Sequence, residues 1–122
     1  MRRGLPLFAA VIAIAAAICP PAWAADGAFA HDETTGKYGF SWNETSPRAA
    51  EDTALKGCAS PQCKVVFRTG AHECGAIAMN DNGKVWGGAK RPTKDAAQLA
   101  ALENCQKRTG RQCNLRGAEC NR

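Results

Sequence analysis

The stretch TKDAAQLAALENCQKRTGRQC, residues 93–113, decides the fold of this chain. Thr93 is a typical helix N-cap, because its hydroxyl can accept a free backbone N–H, and an alanine-rich helical segment follows it. The same pattern stands earlier in SPRAAEDTALKGCASPQC, residues 46–63, with Ser46 as the cap and Pro47 at the first helical position. Two copies of one pattern, with cysteines at matching points, predict an internal duplication.

Short strand-like segments flank both helices. The predicted strands are 26–32, 37–42, 63–68, 75–78, 84–89 and 113–116. Each copy then has the order β-β-α-β, over residues 27–74 and 75–120. We predict an α+β fold, with antiparallel strands in one sheet or in two small joined sheets and with both helices on the same face.

One of these strands is aromatic on one face. Tyr38, Phe40 and Trp42 alternate with smaller residues, and a period of two places all three on one side. Exposed, they would stack on sugars or anchor a protein interface. Buried, they would fill the core beneath the alanine-rich helices. Aligned on the helices, the equivalent positions of the second copy are Val85, Gly87 and Ala89, with Trp86 on the opposite face.

The first 24 residues predict a signal peptide. Arg2 and Arg3 precede an apolar segment over residues 5–18, and Ala22-Trp23-Ala24 is a cleavage motif. The apolar segment is too short to span a bilayer comfortably. We expect residues 25–122 to form a single secreted or periplasmic domain without a transmembrane span in the mature form; a retained membrane anchor is the alternative.

Six cysteines follow residue 24, and an even number in a short exported chain predicts disulfides. Zinc is the alternative, but the sequence has neither CxxC pairs nor a Cys/His finger spacing. The repeat favours the pairs Cys58–Cys63, Cys105–Cys113 and Cys74–Cys120. The last pair would join the two copies. No metal or cofactor is expected.

The charge is distributed unevenly. Residues 25–83 contain five basic and eight acidic residues, whereas residues 84–122 contain nine and three. The basic residues that flank the second helix are a candidate interaction surface: Lys90, Arg91, Lys94, Lys107, Arg108 and Arg111. Such a surface suits an anionic partner, and a merely solvated face is the alternative. Nucleic acid is not expected as a partner, because no nucleic-acid-binding motif accompanies the charge.

Several short segments together resemble the family known as domain of unknown function 4189, which consists of small exported bacterial proteins. They are ALKGC (54–58), CKVV (63–66), CGAIA (74–78) and ALENC (101–105). The resemblance covers nearly all of residues 27–120. It departs in the second hairpin, where the family would have a more aromatic strand after Lys84. It implies export and disulfides, and it brings no activity.

No motif identifies a reaction. His31 and His72 stand beside carboxylates, but without a nucleophile motif we interpret them as surface loop histidines. Glu73 and Glu119 match across the copies, and two carboxylates in one cleft would suit a hydrolase of envelope polymer.

We therefore expect a non-catalytic binding protein, such as an inhibitor or immunity protein. Its partner would be a protein or an anionic envelope component. The small hydrolase and a structural envelope protein are the alternatives.

Overall fold

The computed structural model describes residues 25–122, so the expected signal peptide lies outside the described residues. Each copy contributes three strands and one helix. The elements are β1 (Asp26–His31), β2 (Tyr38–Glu44), α1 (Pro47–Cys58), β3 (Lys64–Thr69), β4 (Cys74–Met79), β5 (Trp86–Arg91), α2 (Lys94–Thr109) and β6 (Asn114–Cys120). The prediction of a disulfide-linked α+β fold with antiparallel strands is confirmed.

Both helices begin where their caps predict. The Ser46 hydroxyl accepts the N–H of Ala49 at 3.0 Å, and the Thr93 hydroxyl accepts the N–H of Ala96 at 3.3 Å. Each bond satisfies one of the backbone donors that a helix leaves free in its first turn. The helices end at residues in the left-handed conformation, Ala59 and Gly110.

Each copy forms its own three-stranded antiparallel sheet. The strand order is β2-β1-β3 in the first sheet and β5-β4-β6 in the second. An irregularity in the pairing falls at equivalent places, between Phe29 and Ala30 against β3 and between Ile77 and Ala78 against β6. In this pairing the duplication therefore extends to the strand register.

Alanine lines the contact between each helix and its sheet. In the first copy, Ala50 and Ala54 of α1 are buried against Ala28 and Ala30 of β1. The equivalent cluster of the second copy contains Ala97 and Ala101 of α2 with Ala76 and Ala78 of β4. Small side chains on both sides let the helix lie close to the strands.

Two equivalent glycines allow the closest approach. A Cβ atom at Gly39 would meet the carbonyl oxygen of Ala54 and the backbone nitrogen of Cys58. A Cβ atom at Gly87 would meet the backbone of Cys105. Only glycine fits where a helix backbone rests on a strand in this way.

The opposite faces of the two sheets pack against each other through an aromatic layer. Phe29, Ile77 and Met79 are at most 1% exposed at its centre. Tyr38, Phe40, Phe67 and Trp86 surround them. The molecule thus has four layers, helix-sheet-sheet-helix. The helices were expected on one common face; instead each covers the outer face of its own sheet, because both faces of β1 and β4 are apolar.

The structure also corrects the alignment of the two copies. Ala30 pairs with Gly39 and Ala78 with Gly87, so Trp86, rather than Val85, corresponds to Tyr38. Trp86 therefore points into the aromatic layer. The error comes from an extra residue in β2, accommodated where the pairing with β1 shifts between Asp26 and Ala28. A one-residue slip moves every side chain of a strand to the other face.

The disulfides are Cys58–Cys63, Cys105–Cys113 and Cys74–Cys120. The first two tie the end of each helix to the start of the next strand. Cys74 begins β4 and pairs directly with Cys120 of β6. This third disulfide therefore links two strands of the second sheet. The expectation that it joins the two copies is wrong, because Cys74 already belongs to the second sheet.

Candidate functional site

The loops of the fold lie at two opposite ends of the molecule. We call one the hairpin end: loops 32–37, 59–63, 80–85 and 110–113, the last turn of each helix, and the first residues of β3 and β6. The opposite, cap end comprises residues 25–26, 44–50, 69–74, 91–97 and 120–122, and it contains both helix N-caps. At the hairpin end the two sheets meet, because Nε2 of His31 lies 2.6 Å from the carbonyl oxygen of Gly83.

The hairpin end is strongly cationic. Its basic residues, all exposed, are Lys37, Lys56, Lys64, Lys84, Lys107, Arg108 and Arg111. Its acidic residues are Asp32, Glu33 and Asp81, so the net charge is +4. Among the described residues, no ion pair involves any of the seven cations. The cap end is balanced, with four basic residues (Arg48, Arg91, Lys94 and Arg122) and four acidic ones (Asp26, Glu44, Glu73 and Asp95).

Helix dipoles explain part of this asymmetry. Lys56, Lys107 and Arg108 lie in the last turns of the helices, where cations are favoured by the partial negative charge. Lys37, Lys64, Lys84 and Arg111 lie in loops or at a strand start, where that reason does not apply. Four of the seven cations are therefore left without a structural role in the described part of the chain.

The six basic residues named from sequence do not form one surface. Lys107, Arg108 and Arg111 lie at the hairpin end, whereas Lys90, Arg91 and Lys94 lie at or near the cap end. The 16-residue helix α2 separates the groups by about 24 Å at 1.5 Å per residue. Sequence reasoning missed Lys37, Lys56, Lys64 and Lys84, since only the topology of the fold brings them to the same end of the molecule as the last turn of α2.

A cleft of about 170 Å³ opens at the hairpin end. Its lining includes His31, Glu33, Gln62, Lys64 and Trp86. The guanidinium carbon of Arg108 lies 5.0 Å from the centre of the Trp86 ring, and its Nη1 donates to the Trp86 carbonyl oxygen at 3.2 Å. This cation–π contact holds Arg108 against the strand that lines the cleft.

Asp32 fixes the loops around this cleft. Its carboxylate accepts hydrogen bonds from the Ser60 hydroxyl at 2.7 Å, the Thr35 hydroxyl at 2.8 Å and the Thr34 N–H at 2.9 Å. The bond from Ser60, followed by those from Thr35 and Thr34, lowers the pKa of Asp32 to about 2. Because its oxygens are occupied, Asp32 serves as an anchor between the β1–β2 loop and the end of α1.

The remaining sequence candidates are placed as follows. Tyr38 and Phe40 pack on the aromatic layer and are half-buried, and Trp42 stacks on Phe40 at 6.2 Å between ring centres. Tyr38 and Phe40 thus lie on the face between the two sheets, so the expectation of a core beneath the helices is wrong about the face that these aromatics occupy. His31 is 5% exposed, which corrects its interpretation as a surface residue, whereas His72 is exposed.

The two matched carboxylates each have a local partner. Glu73 accepts the N–H of Gly70 at 2.5 Å, and Glu119 forms an ion pair with Lys94 at 3.5 Å. Neither lines the hairpin-end cleft. Residues 25–122 contain no group of three or more His, Cys, Asp or Glu side chains placed to hold a metal ion.

A second cleft, of about 230 Å³, lies at the cap end. It is lined by Asp26, Gly27, Pro47, Arg68, Thr69, Gly70 and Lys90. Arg68 is paired with Glu51 at 2.7 Å. Lys90 reaches the cleft from the second sheet, and within the described chain it has no ion pair.

Comparison with known proteins places the chain in a family. The model of the family described as "Domain of unknown function (DUF4189)" matches residues 27–120. The chain belongs to this family. The match extends over both sheets and both helices, so the four-layer domain is the DUF4189 unit.

Curated relatives of this DUF4189 chain come from mycobacteria. It is 42% identical to protein Rv1269c of Mycobacterium tuberculosis over 67 residues, 55% of this chain and 51% of the relative. It is 38% identical to the uncharacterized protein Rv1813c of the same species over 72 residues, 59% of this chain and 48% of the relative. The chain thus matches about half the length of these relatives. No solved structure matches it.

The two helices of the DUF4189 domain were compared with what a membrane span requires. Across residues 25–122, neither helix is long and apolar enough to cross a bilayer. Three disulfides link six cysteines within the same residues.

Proposed function

We propose that this DUF4189 domain is a non-catalytic binding protein that acts outside the cytoplasm and recognises an anionic partner through its hairpin end. The observation that carries the proposal is the gathering of seven exposed cations, from both copies, at one end of a molecule whose other end is balanced in charge. A field of one sign at one end attracts anions and orients them during encounter.

The distribution of these cations favours an extended partner. They come from loops and helix ends of both sheets, and Lys64 is the only one of the seven among the residues that line the described hairpin-end cleft. A small anion would instead be enclosed by several converging cations. The partner is therefore an acidic protein segment or an anionic polymer of the cell envelope, long enough to cross the hairpin end.

Export is the second part of the proposal. Three disulfides are typical of proteins that fold in an oxidising compartment. The basic and apolar residues before Ala24, followed by a small-residue motif, are typical of a secretory signal. Together they favour a secreted or periplasmic protein.

The hydrolase alternative receives less support. Glu73 and Glu119 are engaged by Gly70 and Lys94, and neither lines one of the two clefts described above. Asp32, which lines the hairpin-end cleft beside His31, is occupied by hydrogen bonds. A general acid or base needs a free atom directed at substrate.

Two variants with the same net charge test the proposal. In one, Lys37, Lys64, Lys84 and Arg111 are replaced by Gln. In the matched control, Arg48, Arg91, Lys94 and Arg122 are replaced by Gln. Both lose four positive charges, but from opposite ends of the molecule.

Binding would be measured to a poly-glutamate peptide, to anionic phospholipid vesicles and to the organism's own envelope fraction, at low and moderate salt. We expect the hairpin-end variant alone to lose binding, and added salt to weaken the wild-type interaction. Equal loss in both variants would reduce the effect to net charge and overturn the proposal. Retention by the peptide would favour an acidic protein partner, retention by the envelope fraction alone would favour an envelope polymer, and retention by the vesicles would point to a membrane surface.

A further inference from the structure

The cleft at the cap end exists because the two copies differ there. The duplication relates each residue lining it to a residue of the other copy. Asp26 and Gly70 correspond to Cys74 and Cys120, since the pairings Gly27–Thr69 and Gly75–Glu119 are equivalent. The disulfide thus fills in the second copy a region that is open in the first.

An aromatic side chain fills the rest of the equivalent region. Lys90 of β5 pairs with Gly75, and its counterpart in β2 is Trp42. The Trp42 indole lies between two glycines: its Cη2 and Cζ3 are 3.3 Å from the position of a Cβ atom on Gly75, and its Cε3 is 3.1 Å from that position on Gly27. Where a symmetric counterpart of the cap-end cleft would be expected, the chain therefore places its own tryptophan.

At the cap-end cleft, by contrast, Lys90 leaves the space unfilled. Its side chain is exposed, and the cleft beneath it has Gly27, Pro47 and Gly70 among its walls. These three residues present only backbone and apolar surface, and the polar side chains of Asp26, Arg68 and Thr69 line the rest of the cleft. The volume of about 230 Å³ is below the roughly 300–1,000 Å³ of pockets that enclose a whole small ligand. A single large side chain matches it better.

We infer that the cap-end cleft receives an aromatic side chain from a polypeptide partner, in the manner in which Trp42 occupies the equivalent place. The ammonium group of Lys90 would cover the inserted ring through a cation–π contact. The protein already uses this contact at its other end, where Arg108 covers Trp86 at 5.0 Å. A buried aromatic anchor in a preformed pocket is a common centre of protein–protein binding energy.

The probe for this site is N-acetyl-tryptophanamide, which has an indole flanked by two peptide groups. We expect saturable changes in the amide chemical shifts of Gly27, Thr69 and Gly70, and weaker changes with N-acetyl-leucinamide. Lys90→Trp should abolish them, because the new indole would fill the cleft as Trp42 fills its equivalent. Arg91→Trp is the matched control, since neighbouring residues of a strand point to opposite faces.

A second variant keeps the test independent of how Lys90→Trp folds. Lys90→Ala leaves the cleft open and removes the ammonium group, so affinity for the probe should fall about two- to fivefold. Unchanged binding in both Lys90 variants, or shifts spread over the whole chain, would overturn the inference. If free indole bound with the same affinity as the probe, the claim that the partner is a polypeptide would be overturned. The four hairpin-end substitutions should leave probe binding intact, which separates this site from the proposed function.

Discussion

The imidazole Nε2 of His31 and the carbonyl oxygen of Gly83 are 2.6 Å apart and join the two copies across 52 residues of sequence. His31 ends β1 in the first sheet, and Gly83 lies in the β4–β5 loop of the second. Both residues are buried. To donate to a carbonyl oxygen, Nε2 must carry a hydrogen. The equivalent residue in the second copy is Met79, so this bond has no symmetric partner.

Replacing His31 with Phe should weaken the contact between the sheets. The ring stacking of residue 31 on Phe29, 5.9 Å between centres, would be retained, while the carbonyl of Gly83 would lose its donor. A buried acceptor without a partner costs about 1–3 kcal/mol. Urea unfolding monitored by fluorescence would measure the loss. Met79→Leu is the control, and its cost should stay below about 1.5 kcal/mol because it conserves volume.

Gly39→Ala should destabilise the protein by about 3 kcal/mol, at the upper end of the usual range for overpacking, because the added methyl group meets helix backbone and not a movable side chain. Gly57→Ala is the matched control on the facing helix. Its methyl group would meet only the Cα of Gly39, at 3.5 Å. It should be neutral or stabilise α1 by up to about 1 kcal/mol. Thermal unfolding of the two variants gives the comparison, and similar losses in both would contradict it.

Acid should remove the contribution of Asp32. Its pKa is lowered from 3.8 to about 2 in the folded protein, first by the Ser60 hydroxyl. The ionised carboxylate therefore stabilises the fold at pH values above 3.8, and this stabilisation disappears as the pH falls toward 2. The difference in melting temperature between wild type and Asp32→Asn should be constant near neutral pH and shrink below pH 4.

Ser60→Ala provides the check on the cause. It removes the largest of the interactions that lower the pKa of Asp32, so the loss of stability should begin at a higher pH than in the wild type. An unchanged acid profile in this variant would show that the hydrogen bond does not control the titration.

Cys74→Ala should be the most costly single cysteine replacement. The disulfide with Cys120 closes a separation of 46 residues, which the chain-entropy relation values at about 4 kcal/mol. The disulfide between Cys58 and Cys63 closes only 5 residues and is worth about 2 kcal/mol. Denaturation of the oxidised Cys74→Ala and Cys58→Ala proteins would compare the two losses of stability. Thiol titration of Cys74→Ala in residues 25–122 should find one free thiol, at Cys120, and a value of zero would contradict the pairing.

Local signals in the sequence were sufficient for the elements of this fold. Ser46 and Thr93 place both helix starts, because capping depends only on the residues next to it. The repeat was also sufficient to suggest the disulfide pairs that the structure contains. The arrangement of layers was not predictable in the same way. Phe29 lies between Ala28 and Ala30, so this strand is apolar on both faces. A period of two separates the two faces, but it does not say which face packs against a helix and which against the other sheet.

The position of the extra residue in β2 could not be read from the helices. Alignment on α1 and α2 gives an offset of 47 residues, whereas Gly39 and Gly87 are 48 apart. The spacing of the glycines that contact the helices was the available signal. The cationic end was hidden for a different reason, since Lys37 and Lys64 come to the same end of the molecule as the last turn of α2 only after the two sheets have packed.

The aromatic layer between the sheets also has a consequence for how the protein folds. Within each copy the strands, the helix and their disulfides connect residues of that copy alone, so each half contains the contacts that build its own sheet. The aromatic layer belongs to neither half alone, since Phe29 comes from one and Ile77 from the other. A half produced separately would leave this layer open to water and would tend to self-associate. Docking of the two halves is therefore the step that buries this layer and completes the native state.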